Sequence, residues 1–177
     1  MPAIIALIGL LAAAGFWFYR IRAAKDAASE MFDMANDVRL AARRFAYKRK
    51  HSTHPIDGVD DARLTAAGIM AIAAEIDGNI TADEQRVMKE QAASVFNCSD
   101  DEAEEMVVFG RWLASQGNGK DETLRRLIKQ MLYLGGKETI PDMIRMVEAV
   151  AVTEGQVDDD GIQDIIERLK RAAASAR

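Results

Sequence analysis

Apolar side chains recur every three or four residues along most of this chain, which is the spacing of one face of an α-helix. The clearest case is 122–134, where the inward positions are Leu124, Leu127, Ile128, Met131 and Leu132. The same pattern predicts helices over 24–48, 61–75, 82–96, 100–115, 122–134, 140–152 and 159–173. No segment alternates at period two, so we predict an all-α fold. The turns are short, so neighbouring helices should run antiparallel.

Residues typical of helix N-termini precede most of these segments. Thr81 with Glu84, and Ser99 with Glu102, have the spacing of capping boxes. The other predicted starts are Asp60 or Asp61, Asp121, Thr139 followed by Pro141, and Asp158. These residues accept hydrogen bonds from the exposed N–H groups of a first helical turn.

The segment from Pro2 to Tyr19 contains no charged residue and predicts a transmembrane anchor over residues 1–22. A helix over 3–19 would rise about 26 Å, slightly less than a hydrocarbon core of about 30 Å. Arg20 and Arg22 can extend it by snorkelling. Its apolar residues favour insertion by roughly 3 to 5 kcal/mol in total.

A cleaved signal peptide is the alternative for this segment, and it requires positive charges before the apolar run. Here Arg20, Arg22 and Lys25 follow the run. The positive-inside rule therefore predicts a single-pass anchor with the N-terminus outside and the remainder in the cytoplasm. Gly9 and Ala13 form a small-residue pair through which two anchors could pack as a homodimer.

Residues 23–59 are predicted as a basic amphipathic juxtamembrane helix and a loop, and residues 60–173 as a helical domain. The basic face of the helix has two readings: it lies on anionic lipid, or it is a solvated face of a helix that packs on the domain. The loop contains His51 and His54, the only histidines. We interpret them as structural residues.

The domain contains a repeat of two helix–acidic turn–helix units, 61–96 and 140–173. A shift of 77 positions places the turn at 77–80 over the turn at 154–157. Apolar positions fall into the same register, namely Met70 over Val147, Met88 over Ile165, and Ala92 over Leu169. Such a duplication could bring the two acidic turns close together.

The two turns concentrate oxygen ligands of the kind that Ca²⁺ or Mg²⁺ prefers. The candidate metal ligands are Glu75, Asp77, Asp83, Glu84, Glu154, Asp158 and Asp160. The spacing is not that of an EF-hand, because Ile80 and Arg86 stand where the required Gly and Glu would be, counting from Glu75. Helix capping is the alternative explanation for most of these acids. It explains Glu75, Asp77 and Glu154 least well, since they lie near helix C-termini.

The charge distribution limits the classes of partner that we expect this chain to bind. Residues 1–50 carry nine Lys/Arg and four Asp/Glu, a net charge of +5, whereas residues 51–177 carry fourteen and twenty-four, a net charge of −10. An acidic domain argues against nucleic acid and favours cations or basic protein surfaces. The single cysteine, Cys98, excludes an intrachain disulfide and is interpreted as a small helix-end residue.

Enzymatic motifs are missing from the sequence. It contains no Glu-x-x-His pattern, phosphate-binding loop, nucleophile elbow or Cys/His zinc spacing. We therefore expect no enzymatic activity and no organic cofactor. A metal-dependent hydrolase built on the carboxylates is the weaker alternative.

Residues 60–172 resemble the TerB-like family, which includes tellurite-resistance TerB proteins and the N-terminal domain of the membrane co-chaperone DjlA. The resemblance lies in LTAAGIMAIAAEIDGNITADEQRVM and VEAVAVTEGQVDDDGIQDII. It implies an all-helical fold whose paired acidic turns bind divalent metal. That role would fall on Asp77 and Glu84 in the first unit and on Glu154 in the second.

The chain departs from the family pattern at two places. Gly161 stands where the first unit has Glu84, so Asp158 or Asp160 would have to substitute. The anchor resembles that of DjlA, but no J domain follows, and His54-Pro55-Ile56 differs from the His-Pro-Asp triad. Stimulation of Hsp70 by this chain is therefore not expected.

The sequence leaves two functions open. The first is a membrane-anchored TerB-like module in a bacterial inner membrane that binds Ca²⁺ or Mg²⁺ and acts in stress-response or envelope-associated complexes. The alternative is a metal-independent scaffold or co-chaperone-like adaptor that recruits cytosolic protein partners to the membrane.

Overall fold

The computed structural model describes residues 37–42, 45, 54–153 and 159–176. The chain divides into two compact units, Met1–Asp37 and Val38–Arg177, and the second contains every element named below. The described part is all-helical and contains no strand, which confirms the predicted all-α class. Six α-helices lie wholly within the described ranges: α1 (Ala62–Ala74), α2 (Ala82–Phe96), α3 (Asp100–Ala114), α4 (Lys120–Gly135), α5 (Ile140–Thr153) and α6 (Asp160–Ser175). Residues 37–42 are also helical.

The helix boundaries follow the sequence where a side chain caps the first turn. Helix α2 has the predicted bounds, and Asp61 caps α1 by accepting a hydrogen bond from the Arg63 N–H at 2.9 Å. Helix α4 begins two residues earlier than predicted, because its N-cap is Gly119, which has a φ of 131° and no side chain. The prediction that Asp121 opens this helix was wrong.

Thr139 does not cap α5. Its hydroxyl donates to the Gly136 carbonyl at 2.8 Å, and a 3₁₀ turn at Lys137–Thr139 leads directly into the helix. The Thr139 side chain therefore stabilises the preceding turn, and the helix begins at Ile140 as predicted.

Helix α1 lies at the centre of the domain. Its residues from Leu64 to Ala74 are all buried, including Thr65. It contacts each of the other five helices, and most extensively α3 and α4. Because many of its side chains are Ala or Gly, other helices can approach its backbone from several directions. The core therefore surrounds this helix.

The closest approach in the core is between α1 and α3. A Cβ atom placed on Gly110 would lie 2.5 Å from the carbonyl carbon of Ala67 and 2.7 Å from its Cβ. These distances are far below ordinary van der Waals contact, and most of the opposing atoms are backbone, which cannot rotate away. Only glycine fits at this crossing.

An arginine joins three segments at the N-terminal end of α1. Arg63 pairs with Asp61 at 2.7 Å and with Glu102 of α3 at 2.8 Å, and its guanidinium lies 5.8 Å from the ring centre of Phe45. The hydrogen bonds that Arg63 donates to the Asp61 carboxylate are the largest cause that raises the pKa of Arg63 above its ordinary value. Of the second predicted capping box only the Ser99 half is present: Ser99 accepts from the Glu102 N–H at 3.3 Å. The Glu102 carboxylate goes to Arg63 instead.

The segment before α1 belongs to the core, although the sequence predicted a loop. Ile56 and Val59 are buried, and the side-chain amide of Gln130 donates to the Val59 carbonyl. Asp57 pairs with Arg126 of α4 at 3.0 Å. Ala41 and Phe45 are also buried, so these two residues pack on the domain, as the second reading of the basic helix expected.

The apolar positions that the repeat aligns lie in the core. All six residues that the 77-residue shift superimposes are buried: Met70, Val147, Met88, Ile165, Ala92 and Leu169. The first helix–acidic turn–helix unit contains α1 and α2, and the second contains α5 and α6. Contacts of α5 with α1 and with α2 join these two units.

At the α1–α3 crossing, the addition of one methyl group to Gly110 should strongly destabilise the domain. We expect Gly110→Ala to lower the free energy of unfolding by about 3 kcal/mol, because the helices must separate. Gly68→Ala is the matched control, since its Cβ would meet the flexible ends of the Leu127 side chain at 3.0 and 3.1 Å and the Gly110 carbonyl oxygen at an ordinary contact distance of 3.6 Å. That variant should change stability by less than about 1 kcal/mol, as helix propensity favours alanine. Urea unfolding followed by circular dichroism measures both, and equal losses would contradict the proposed crossing.

Candidate functional site

The first acidic turn begins at the C-terminus of α1. The Glu75 N–H donates to the Ala71 carbonyl at 3.1 Å, and the Ile76 N–H donates to the Ala73 carbonyl at 3.3 Å. The chain then turns through Gly78, whose φ of 154° favours glycine. Glu75 is half-buried, whereas Asp77 and Asn79 are exposed.

A lysine supplies positive charge at this turn. The Lys120 ammonium, at the start of α4, donates a hydrogen bond to the Glu75 carbonyl oxygen. The C-terminus of a helix carries partial negative charge on such carbonyls, so a cation is stabilised there. Negative residues near this helix end suggested a metal ion, but a side chain of the protein provides a positive charge at the same place.

The sequence contains a signal for this contact. A lysine in the first turn of a helix is as unfavourable towards the helix dipole as an acid in the last turn. Lys120 and Glu75 are both misplaced in this sense, and the structure brings them together. Two such residues of opposite sign at opposite helix ends are candidates for a contact.

Glu84 is occupied by the structure of the turn. Its side chain is 2 % exposed, and Oε2 accepts from the Thr81 N–H at 2.8 Å and from the Thr81 hydroxyl at 3.0 Å. The Thr81 hydroxyl in turn accepts from the Glu84 N–H at 3.2 Å. The predicted capping box is therefore confirmed, and it fixes the carboxylate that the family resemblance named as a ligand.

The remaining acids of the first unit lie at the surface. Asp83 is exposed and pairs with Arg86 at 3.4 Å, and Asp77 is also exposed. Within the residues that the structure describes, no three His, Cys, Asp or Glu side chains form a group that could hold a metal ion.

The second acidic turn is described only from residue 159 onwards, so Glu154 and Asp158 lie outside the described residues. The cap of α6 is Asp159, whose Oδ1 accepts from the Gly161 N–H at 2.7 Å. The prediction that Asp158 starts this helix was therefore wrong by one residue. Asp160 is exposed in the first turn of α6.

The first turn packs against the start of α6. A Cβ atom on Gly161 would lie 3.1 and 3.2 Å from Cγ2 and Cδ1 of Ile76. The same Cβ atom would lie 3.0 Å from Oδ1 of the capping Asp159, so any side chain at position 161 would press on both Ile76 and the cap. The 77-residue shift also places Thr153 over Ile76, so the repeat is unequal at both of these positions. The turn at 75–80 thus lies next to the helix that follows the second turn.

Cys98 and His54 have structural contacts, as the sequence predicted. The half-buried Cys98 thiol lies 3.7 Å from the Ala92 carbonyl just after α2, and burial raises its pKa. His54 accepts from the Ile56 N–H at 3.3 Å through Nδ1. His51 lies outside the described residues.

No protein-family model, curated protein or solved structure matches this chain. The TerB-like resemblance therefore stays a prediction from the residues quoted for it. None of the helices in the described part combines the length and apolarity that a membrane crossing requires. The predicted anchor at 1–22 lies outside the described residues.

The buried contacts of Glu84 predict a stability effect that its neighbour does not share. Glu84→Ala should lower the free energy of unfolding by about 1 to 2 kcal/mol, since the Thr81 N–H and hydroxyl lose their acceptor. Asp83→Ala is the control, because Asp83 occupies the same first turn and has the same relation to the helix dipole. Its loss should be about 0.5 kcal/mol or less, as for an exposed pair. Chemical denaturation of both variants checks this, and equal losses would show that the box contributes nothing.

Proposed function

We propose that this chain is a membrane-anchored, TerB-like antiparallel helical module that acts as a metal-independent adaptor. In this proposal the anchor at 1–22 crosses a bacterial inner membrane with its N-terminus outside. The helical domain then recruits cytosolic protein partners to stress-response or envelope-associated complexes. In this proposal the role of the acidic turns is structural: they connect the helices within the two helix–acidic turn–helix units, 61–96 and 140–173.

We favour a metal-independent module because the Lys120 ammonium contacts the Glu75 carbonyl oxygen. It supplies the positive charge that Glu75 and Asp77 had suggested was missing. The buried box of Glu84 with Thr81 supports the same choice, since its hydrogen bonds serve the turn. The box gives the Glu84 carboxylate a role within the protein, and Lys120 places a positive charge on the main chain at Glu75.

A divalent-cation module is the second candidate, and the packing of Ile76 against Gly161 favours it. This contact places the first turn beside the helix that Asp158, Asp159 and Asp160 precede or open. The ligands in this candidate are Asp77, Asp160, Glu154 and Asp158, with Ca²⁺ or Mg²⁺ as the ion. Glu84 and Glu75 would support the turn from within.

Thermal unfolding of the whole chain separates the two candidates. A metal-independent module should unfold within about 1 °C of the same temperature in chelator and in millimolar Ca²⁺ or Mg²⁺. A site filled to a hundred times its dissociation constant would add about 2.7 kcal/mol and raise the midpoint by several degrees. A metal-dependent rise of the unfolding midpoint that is lost in Asp77→Asn and kept in Asp83→Asn would establish the cation candidate. It would overturn the metal-independent one.

The adaptor role predicts crosslinks to protein partners that survive removal of metal. Leu40, Tyr133 and Val152 are the large apolar side chains with the highest exposure in the described part, at 48 %, 81 % and 61 %. A photocrosslinking amino acid at each of these positions should capture proteins in cells, and the yield should persist in chelator. Glu90, an exposed polar position, is the control. Capture equal to that at Glu90, or lost with chelator, would count against the adaptor.

A further inference from the structure

Helices α4 and α6 form the two sides of an open groove with a volume of about 720 Å³. Its floor is apolar and includes Ile128 and Leu132 of α4 and Ala172 of α6. Ile128 is almost fully buried, whereas Leu132 and Ala172 are half-buried and present apolar surface. A groove between two helices with such a floor has the shape that accepts a third helix.

The rim of this groove is basic. Arg125 and Lys129 line it from α4, and Arg168 and Arg171 line it from α6. Asp164 is the one acid among its lining residues. This concentration of positive charge contrasts with residues 51–177 as a whole, which carry a net charge of −10.

The charges of α6 are compensated within the protein. Arg168 pairs with Asp164 at 2.6 Å and with Asp121 at 2.7 Å, and Arg171 lies 3.8 Å from Asp164. These pairs hold the side chains along the groove. The uncompensated positive charge that a ligand would contact therefore lies on the α4 side of the groove.

The charges of α4 are not compensated in the same way. Arg125 and Lys129 are exposed, and neither forms an ion pair with any residue in the described ranges. They are four residues apart, where like charges destabilise a helix. Tyr133, one turn beyond Lys129, is 81 % exposed. An anionic partner would relieve the repulsion between Arg125 and Lys129 and would cover the aromatic ring.

We propose that the α4–α6 groove binds an amphipathic helix of a partner protein, with an apolar stripe flanked by Asp or Glu. The stripe would lie on Ile128, Leu132 and Ala172, and the flanking acids would pair with Arg125 and Lys129. This rests on the proposed adaptor function and names the class of partner. An anionic membrane surface fits less well, because the apolar floor lies in a groove between two helices, which a helix can enter and a flat surface cannot.

The probe is a fluorescent helical peptide of about 16 residues, the length of α4, with Leu at positions i, i+3, i+4 and i+7 and Glu on both flanks. Its binding to the whole chain in nonionic detergent is measured by anisotropy. We expect a dissociation constant on the order of micromolar. Arg125→Glu with Lys129→Glu should weaken binding at least about tenfold.

The matched control reverses two other exposed charges, Lys137 and Lys170, neither of which lines the groove. Lys137→Glu with Lys170→Glu changes the net charge by the same amount and should alter binding less than about twofold. A second peptide has the same composition with its Leu positions scrambled, and it should bind at least about tenfold more weakly. Circular dichroism of both double variants verifies that they fold.

Several results would overturn the groove proposal. They are an absence of peptide binding to the wild type, equal weakening by the two double variants, and equal binding of the scrambled peptide. Binding to anionic vesicles that only Arg125→Glu with Lys129→Glu abolishes, without peptide affinity, would assign the groove to a membrane. Metal-independent crosslinks at Leu40 or Val152 would keep the adaptor function even if the groove proposal failed.

Discussion

The close contact of α3 with α1, at Gly110 and Ala67, is the constraint on which the rest of the domain depends. Helix α1 is buried along nearly its whole length and presents mostly small residues, so its neighbours approach its backbone. A helix surrounded in this way places the elements that end or begin beside it. The acidic turn lies at its C-terminus, the Arg63 contacts lie at its N-terminus, and α4 packs along it.

The acidic turns show how charge near a helix end is to be interpreted. Acids at a helix C-terminus oppose the dipole, and an external cation is one way to compensate them. Here Lys120 comes from another helix and occupies the corresponding position on a carbonyl oxygen. Lys120 is itself unfavourable at the start of α4, so one contact compensates both helix ends. Glu84 then contributes hydrogen bonds to the turn while it remains buried.

The domain is acidic overall but has a basic surface at the α4–α6 groove. An acidic domain suggested basic partners, yet the α4–α6 groove has a basic rim over an apolar floor. Asp164 of α6 lies within ion pairs with Arg168 and Arg171, whereas Arg125 and Lys129 have none among the described residues. A partner is selected by the local field and shape of the surface that it covers, so total charge alone does not fix the sign of its charge. An adaptor with this groove would select acidic helices.

The sequence by itself determined the helices and several of their caps, because apolar spacing and capping boxes depend on residues a few positions apart. It placed α2 at 82–96, the Thr81–Glu84 box, and the buried positions that the two units share. Only the tertiary structure decided which partner Glu102 takes, where Lys120 lies, why position 161 is glycine, and where basic residues gather. These contacts join residues far apart in sequence. Their choice depends on how closely α1 lets its neighbours approach, and local periodicity contains no information about that distance.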